Sequence, residues 1–158
     1  IGAGIAYKPT NKLTFTADVQ YTNWKKMTNI EMKFDSAAVQ AIVGDRATYE
    51  LRWKDTFQLR FGVEYKASKS FSLRAGYYYD PDPTDNPTQN IILPEITYHW
   101  ITVGFGYHTG NFSIDVGFEH GFGQDVEVGL AEALYGSGMA GTHGIDITVP
   151  NISFSYKF

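Results

Sequence analysis

The fold is decided by residues 55–66, DTFQLRFGVEYK, together with residues 71–80, FSLRAGYYYD. From Phe57 to Tyr65 every odd-numbered residue is apolar or aromatic, and every even-numbered residue is polar or glycine. The second stretch repeats this pattern from Phe71 to Tyr79. Strict alternation with a period of two predicts strands that have one apolar face and one polar face. Only residues 67–70 separate the two stretches, which predicts an antiparallel hairpin.

The same alternation recurs along the chain and predicts an all-β, antiparallel, up-and-down fold with few helices. Seven strands are predicted, at about residues 1–8, 13–24, 55–66, 71–80, 98–108, 112–122 and 151–158. The long connections are residues 25–54, 81–97 and 123–149. The first of them is expected to extend the second strand through Ile30, Met32 and Phe34, and then to form a short helix from Ser36 to Val43. A helical turn is predicted at Leu130 to Leu134.

Composition narrows the function classes. The 158 residues have a net charge of -4 and no stripe of Lys or Arg, which argues against nucleic acid as a partner. There is no Cys, so disulfides and thiolate metal sites are excluded from this sequence. The four His residues lack the spacing of metal ligands, and no glycine loop has the pattern that binds phosphate. We therefore predict no enzymatic activity, no metal and no cofactor.

The apolar faces of the predicted strands are almost free of charge. Asp55, His99 and His120 are the only acidic, basic or histidine residues on them, whereas the polar faces carry both acids and bases in mid-strand. A Lys or Arg that faces the middle of a bilayer costs roughly 2–4 kcal/mol, while a wet lumen accepts it. This distribution favours a sheet whose apolar face contacts lipid.

The lengths of the connections point the same way. Short turns at residues 9–12, 67–70 and 109–111 alternate with the three long loops, and aromatic residues mark both ends of the apolar faces. Short turns on one side, long loops on the other and aromatic girdles at both levels are typical of outer-membrane β-barrels. The alternative is a soluble β-sandwich or lipocalin-like barrel, which would bury the same face in a core. We favour the membrane wall, because sandwiches rarely keep all long loops at one end.

Seven strands do not complete such a barrel. Bacterial single-chain barrels have even strand numbers from about 8 upward, and an open edge in lipid leaves backbone groups unpaired. The sequence also begins inside an alternating strand. We therefore expect the first and last strands to find partners outside this sequence.

Six segments of the chain resemble a known family. They are residues 17–24 (ADVQYTNW), 53–62 (WKDTFQLRFG), 73–77 (LRAGY), 92–95 (ILPE), 100–107 (WITVGFGY) and 154–158 (FSYKF). In order and spacing they are similar to the C-terminal half of the FadL/TodX-type outer-membrane transporters of long-chain fatty acids and other hydrophobic compounds.

The resemblance implies a fourteen-stranded transmembrane barrel of which these strands are the last half. It further implies a plug in the lumen, an opening in the wall through which the substrate leaves sideways, and passive uptake of fatty acids or hydrocarbons. The partners that follow are outer-membrane lipid, the hydrophobic substrate, detergent or lipopolysaccharide, and the barrel-assembly machinery. The last residues, Tyr156 and Phe158, resemble the signal by which barrel proteins are recognised for insertion into the outer membrane.

Two further groups of residues are candidate sites. The polar faces carry a set of charges that either seats a plug or receives a carboxylate head group, or else only pairs across strands in a wet lumen. Its members are Asp18, Arg60, Glu64, Arg74, Asp115 and Glu119. In the second long loop Ile91, Ile92 and Leu93 either form an exposed patch that captures lipid or pack on a neighbouring loop. Two other functions stay open: a porin-like polar channel, and a structural or adhesive barrel.

Overall fold

The alternating segments fold into one seven-stranded antiparallel sheet. In the computed structural model, residues 1–84, 96–133 and 140–158 are described. The strands of this sheet are β1 (Gly2–Tyr7), β2 (Leu13–Thr22), β5 (Thr56–Lys66), β6 (Phe71–Asp80), β7 (Tyr98–Thr109), β8 (Phe112–Gly123) and β11 (Ile147–Tyr156). They are hydrogen-bonded in chain order, so each strand lies beside the one that precedes it in the sheet. The prediction of an all-β up-and-down fold is confirmed.

The remaining elements belong to two of the long connections. A 3-10 helix (Trp24–Lys26) follows β2, and β3 (Asn29–Lys33) pairs with β4 (Arg46–Glu50) around the helix α1 (Ala37–Val43). After β8, the short strand β9 (Val126–Val128) pairs with β10 (Gly141–His143), and the helical turn α2 (Leu130–Glu132) lies between them. Each of these two connections therefore contains a small hairpin of its own.

Two predicted strands have wrong boundaries. The second strand does not extend through Ile30, Met32 and Phe34: it ends at Thr22, and residues 29–33 form the separate sheet with β4. The last strand begins at Ile147 rather than at 151, and it ends at Tyr156 rather than at 158. It passes through Pro150, which lacks a backbone N–H donor and lies opposite Phe118 of β8.

The apolar face of the sheet packs against nothing within the described residues. Its side chains stay exposed, as in Phe57 (59%), Phe61 (53%) and Phe154 (62%). The buried apolar residues of the described chain all lie elsewhere, in the connections or on the polar face: Leu51, Trp53, Ile96, Tyr98, Trp100, Val128 and Ala133. A soluble sandwich would bury the apolar face first. The exposure of that face favours the membrane wall.

Candidate functional site

The polar face is ordered in rows that run across the strands. One row joins Asp18, Arg60, Tyr78, Trp100 and Gly121, which are direct neighbours in the ladder from β2 to β8. The next row toward the short turns joins Thr16, Gly62, Gly76, Thr102 and Glu119, and the row after it contains Glu64 and Arg74. Two rows of charges therefore lie on either side of a row of mostly small residues.

Arg60 is the centre of the first group of charges. Its Nη1 donates to Asp18 Oδ1 at 3.2 Å, and its Nη2 donates to Gln20 Oε1 at 3.0 Å and to Gln58 Oε1. Gln58 in turn donates from Nε2 to Asp80 Oδ1 at 2.8 Å. The guanidinium thus holds β2 and β5 together, and Gln58 carries the chain of hydrogen bonds on to β6.

Arg74 is the centre of the second group. Its Nε donates to Glu64 Oε2 at 2.9 Å, and its Nη1 donates to Asp115 Oδ1 at 2.6 Å. Asp115 lies two strands away on β8, and its Oδ1 is also 3.9 Å from His108 Nε2. The guanidinium reaches this far because Gly106 leaves room: a Cβ there would stand 3.2 Å from Arg74 Nη1 and 2.6 Å from Asp115 Oδ1.

Glu119 is apart from both groups. Its Oε2 accepts a hydrogen bond of 3.3 Å from the hydroxyl of Tyr78, whereas the two arginines of the polar face bind other carboxylates. The six predicted charges therefore lie on one face, as expected, but they divide into a pair, a triad and a single carboxylate.

In the row of small residues, threonine hydroxyls occupy the space that a Cβ would fill at the neighbouring glycines. A Cβ on Gly62 would stand 2.6 Å from Thr16 Oγ1, and a Cβ on Gly76 would stand 2.6 Å from Thr102 Oγ1. Larger side chains at the two glycines would displace these hydroxyls and fill the space above the polar face between the two charged rows.

An apolar cluster lies on the polar face near the long loops, and the sequence reasoning missed it. Ile96, Tyr98 and Trp100 form its buried part, and Tyr78, Val126 and Ile147 pack against them. The Trp100 ring stacks with the Tyr78 ring at 5.3 Å between centroids and 8° between planes. The sequence could have predicted this cluster. Tyr98 and Trp100 are even-numbered like Thr102, and the even-numbered residues of β7 belong to the polar face.

Gly121 leaves room for the ring of Trp100. A Cβ on Gly121 would stand 2.7 Å from the indole ring, so the ring lies flat against the backbone of β8. Trp100 is 8% exposed, and its Nε1 has no hydrogen-bond partner among the described residues. A buried N–H without a partner costs about 1–3 kcal/mol, so an acceptor that reached it would be bound favourably.

Asp55 is the one acidic residue of the apolar face, and its environment explains why it is accepted. It precedes β5 at the level of the long loops, where its Oδ2 accepts a hydrogen bond of 2.7 Å from the Tyr21 hydroxyl and its Oδ1 accepts one of 3.1 Å from the Lys25 backbone. The Tyr21 hydrogen bond, supported by that of Lys25, holds the pKa of Asp55 below its usual value. The carboxylate therefore belongs to the interface and is satisfied there.

The other predicted site residues have different outcomes. Tyr156 is the last residue of β11, and its ring makes an edge contact with Phe158 at 5.2 Å; both are exposed. The patch Ile91, Ile92 and Leu93 lies outside the described residues. No cluster of potential metal ligands occurs in the described ranges 1–84, 96–133 and 140–158. Over these same ranges, no helix is both long enough and apolar enough to cross a membrane.

Comparisons with known proteins place this geometry in a family. The model of the family described as "Outer membrane protein transport protein (OMPP1/FadL/TodX)" matches residues 2–158. A Neisseria meningitidis serogroup B protein, named as an outer membrane protein, is 29% identical over 130 residues, which are 80% of this chain and 28% of that protein. The long-chain fatty acid transport protein of Escherichia coli O6:H1 is 28% identical over 109 residues, 68% of this chain and 23% of that protein.

One solved structure supports the fold. The crystal structure of a Pseudomonas aeruginosa FadL homologue matches with a TM-score of 0.69 at 21% identity, over 98% of this chain and 33% of that chain. The chain spans about a quarter of the length of the Neisseria and Escherichia relatives. With the family model matching almost its whole length, the chain belongs to the OMPP1/FadL/TodX family of outer membrane transport proteins.

Proposed function

We propose that this chain forms part of the wall of a plugged outer-membrane barrel that takes up hydrophobic molecules passively and releases them sideways into the membrane. Long-chain fatty acids or hydrocarbons are the proposed substrates. The relative from Escherichia coli is named for long-chain fatty acid transport. In this proposal, strands outside the sequence pair with β1 and β11 and close a fourteen-stranded barrel, because a sheet edge in lipid needs partners.

The observation that carries the proposal is the apolar cluster on the lumen side of the wall. A water-filled pore is lined by polar side chains, and its wall gains nothing from buried aromatic rings. Here Tyr98 and Trp100 are each 8% exposed on the polar face, which in this proposal faces the lumen. A hydrophobic solute that enters from the long-loop side would meet this cluster, which extends into the row of Arg60, before it reached the row of Arg74.

For the charged residues we propose a supporting role in the wall. Arg74 is bound by Glu64 and Asp115, and Arg60 is bound by Asp18, so the positive charge of each guanidinium is already balanced by at least one carboxylate of the wall. Charge-assisted pairs of this kind fix geometry as well as adding energy. The plug then rests on the wall that these pairs hold in shape.

The test is uptake of radiolabelled oleate by cells that lack the full-length gene and are complemented with wild type or Trp100→Ala. We expect the wild type to restore uptake and Trp100→Ala to lower it severalfold. Phe118→Ala, on the exposed apolar face of β8, is the matched control and should leave uptake unchanged. Equal uptake by deletion and complemented cells would refute the proposal.

The two rival functions give different results in the same strains. A porin-like channel would conduct ions and small sugars through the purified full-length protein, without oleate uptake. A structural or adhesive barrel would show neither activity. As partners we propose outer-membrane lipid, with lipopolysaccharide or detergent on the apolar face, and the barrel-assembly machinery at the segment that ends with Tyr156 and Phe158.

A further inference from the structure

The two ends of the sheet carry opposite charge. The segments around the short turns and after β11 contain five lysines and no Asp or Glu; the lysines are Lys8, Lys12, Lys66, Lys69 and Lys157. The segments at the other end, residues 25–55, 80–97 and 123–147, together hold thirteen acidic and six basic residues. The overall charge of -4 hides this asymmetry.

Among the described residues, the five lysines have no acidic partner that neutralises them. All are exposed, and none of their ammonium groups takes part in an ion pair with a described residue. At the opposite end, by contrast, Lys25 lies 3.8 Å from Asp55. The acids closest to the short turns along the strands, Glu64 and Asp115, are both bound to Arg74. The positive charge of this end is therefore available to an external anion.

The level of the lysines, relative to the end of the apolar face, indicates the kind of anion that binds there. They lie just beyond Tyr7, Tyr65, Phe71 and Tyr156, which mark the level at which the apolar face ends. Aromatic rings of this kind sit at the headgroup level of a bilayer, and lysine stems extend along the apolar surface so that the ammonium reaches the phosphates. The short turns of an outer-membrane barrel face the periplasm.

We propose that the short-turn end binds anionic phospholipid headgroups of the periplasmic leaflet through Lys12 and Lys69, with Lys8 in support. The lysines are spread over two turns, and such a spread matches a continuous anionic surface better than a single compact ligand. Lys66 and Lys69 both line a depression of about 480 Å³ at the inner mouth, but Lys66 is the last residue of β5 and shares the polar face with Ser72, whereas Lys69 lies in the turn that follows. This inference rests on the membrane position of the sheet and is independent of the transported substrate.

The test measures lipid selectivity of the full-length protein in phosphatidylcholine bilayers. Spin-labelled phosphatidylglycerol and spin-labelled phosphatidylcholine report the relative association constants at the protein surface. We expect the wild type to prefer phosphatidylglycerol by about threefold or more at low salt, and to lose the preference as salt rises. In the double variant Lys12→Gln/Lys69→Gln the ratio should fall toward one.

Two further variants make the result specific. Lys26→Gln/Lys33→Gln makes the same change of charge at exposed positions of the long-loop end and should keep the wild-type ratio. An equal loss in this control, or no loss in Lys12→Gln/Lys69→Gln, would overturn the proposal. Loss confined to Lys66→Gln/Lys157→Gln would also overturn it, because the anion would then bind inside the mouth of the lumen. A wild type without any preference would leave an acidic protein as the alternative partner and would refute lipid binding.

Discussion

Replacement of Arg74 by methionine tests whether the triad on the polar face holds the wall together. The substitution keeps an unbranched stem but removes the guanidinium and with it two charge-assisted hydrogen bonds, to Glu64 at 2.9 Å and to Asp115 at 2.6 Å. It also leaves Glu64 and Asp115 without the cation that both of them bind. The loss should therefore be larger than that of an ordinary surface ion pair.

The size of this loss of stability follows from the exposure of the three side chains. The three side chains are 39%, 29% and 35% exposed, so solvent screens the pairs and each bond is worth less than a buried charged hydrogen bond. Two bonds of about 1 kcal/mol each predict a free energy of unfolding lower by roughly 2 kcal/mol. Arg46→Met, at an exposed residue of β4 whose nearest acid is the equally exposed Asp45, should change it by less than about 0.5 kcal/mol.

The assay is urea unfolding of the full-length protein in lipid vesicles, followed by circular dichroism. A double-mutant cycle with Asp115→Asn isolates the pair: Asp115→Asn should cost clearly less in the Arg74→Met background than in wild type. Equal costs in both backgrounds would refute the bridging role. So would an Arg74→Met protein of wild-type stability whose oleate uptake is lost, because that result would assign Arg74 to the substrate.

Three further changes probe other parts of the account. Gly121→Val should destabilise the protein by about 1–3 kcal/mol in the same assay, because its side chain needs the space of the Trp100 ring; a wild-type midpoint would contradict the flat position of that ring. The contact of Asp55 with Tyr21 should be fully present above about pH 4 and lost as the pH falls through the lowered pKa of Asp55, which protease cleavage in residues 25–54 would report. Asp55→Asn should remove this pH dependence. An Asp55→Asn protein whose cleavage keeps the wild-type pH dependence would count against this role of Asp55. Deletion of Phe158 should lower the folded, heat-modifiable fraction in outer membranes severalfold, and an unchanged fraction would show that assembly does not read this residue.

The sheet could be predicted because alternate side chains of a membrane strand face lipid and lumen, so that apolar and polar residues alternate in the sequence. The alternation in residues 55–66 and 71–80 determines both the hairpin and the face that each side chain occupies, and the structure has this register. The same parity places all six charged candidates on one face. Their grouping was out of reach, because it depends on which side chains lean across a strand, as Arg74 does over Gly106 to reach Asp115.

The long connections were harder for two physical reasons. Ile30 and Met32 alternate like a strand, but alternation does not say which partner a strand takes, and they pair with β4 instead of extending β2. Pro150 favours a loop because it lacks a backbone donor, yet it lies within β11 opposite Phe118. The apolar cluster was missed because aromatic residues suggest the apolar face by type, whereas Tyr98 and Trp100 belong to the other face by position.

The alternation of the strands assigns one face of the sheet to lipid and the other to the lumen. A single nitroxide-labelled Cys, placed in turn at each position from 57 to 65 of the full-length protein in vesicles, tests this assignment. Labels at odd positions should be relaxed by oxygen, which concentrates in lipid, and labels at even positions should be relaxed by a water-soluble nickel complex. Accessibility that does not alternate, or that is low to both reagents at the odd positions, would show that the apolar face is covered by protein and would contradict the account.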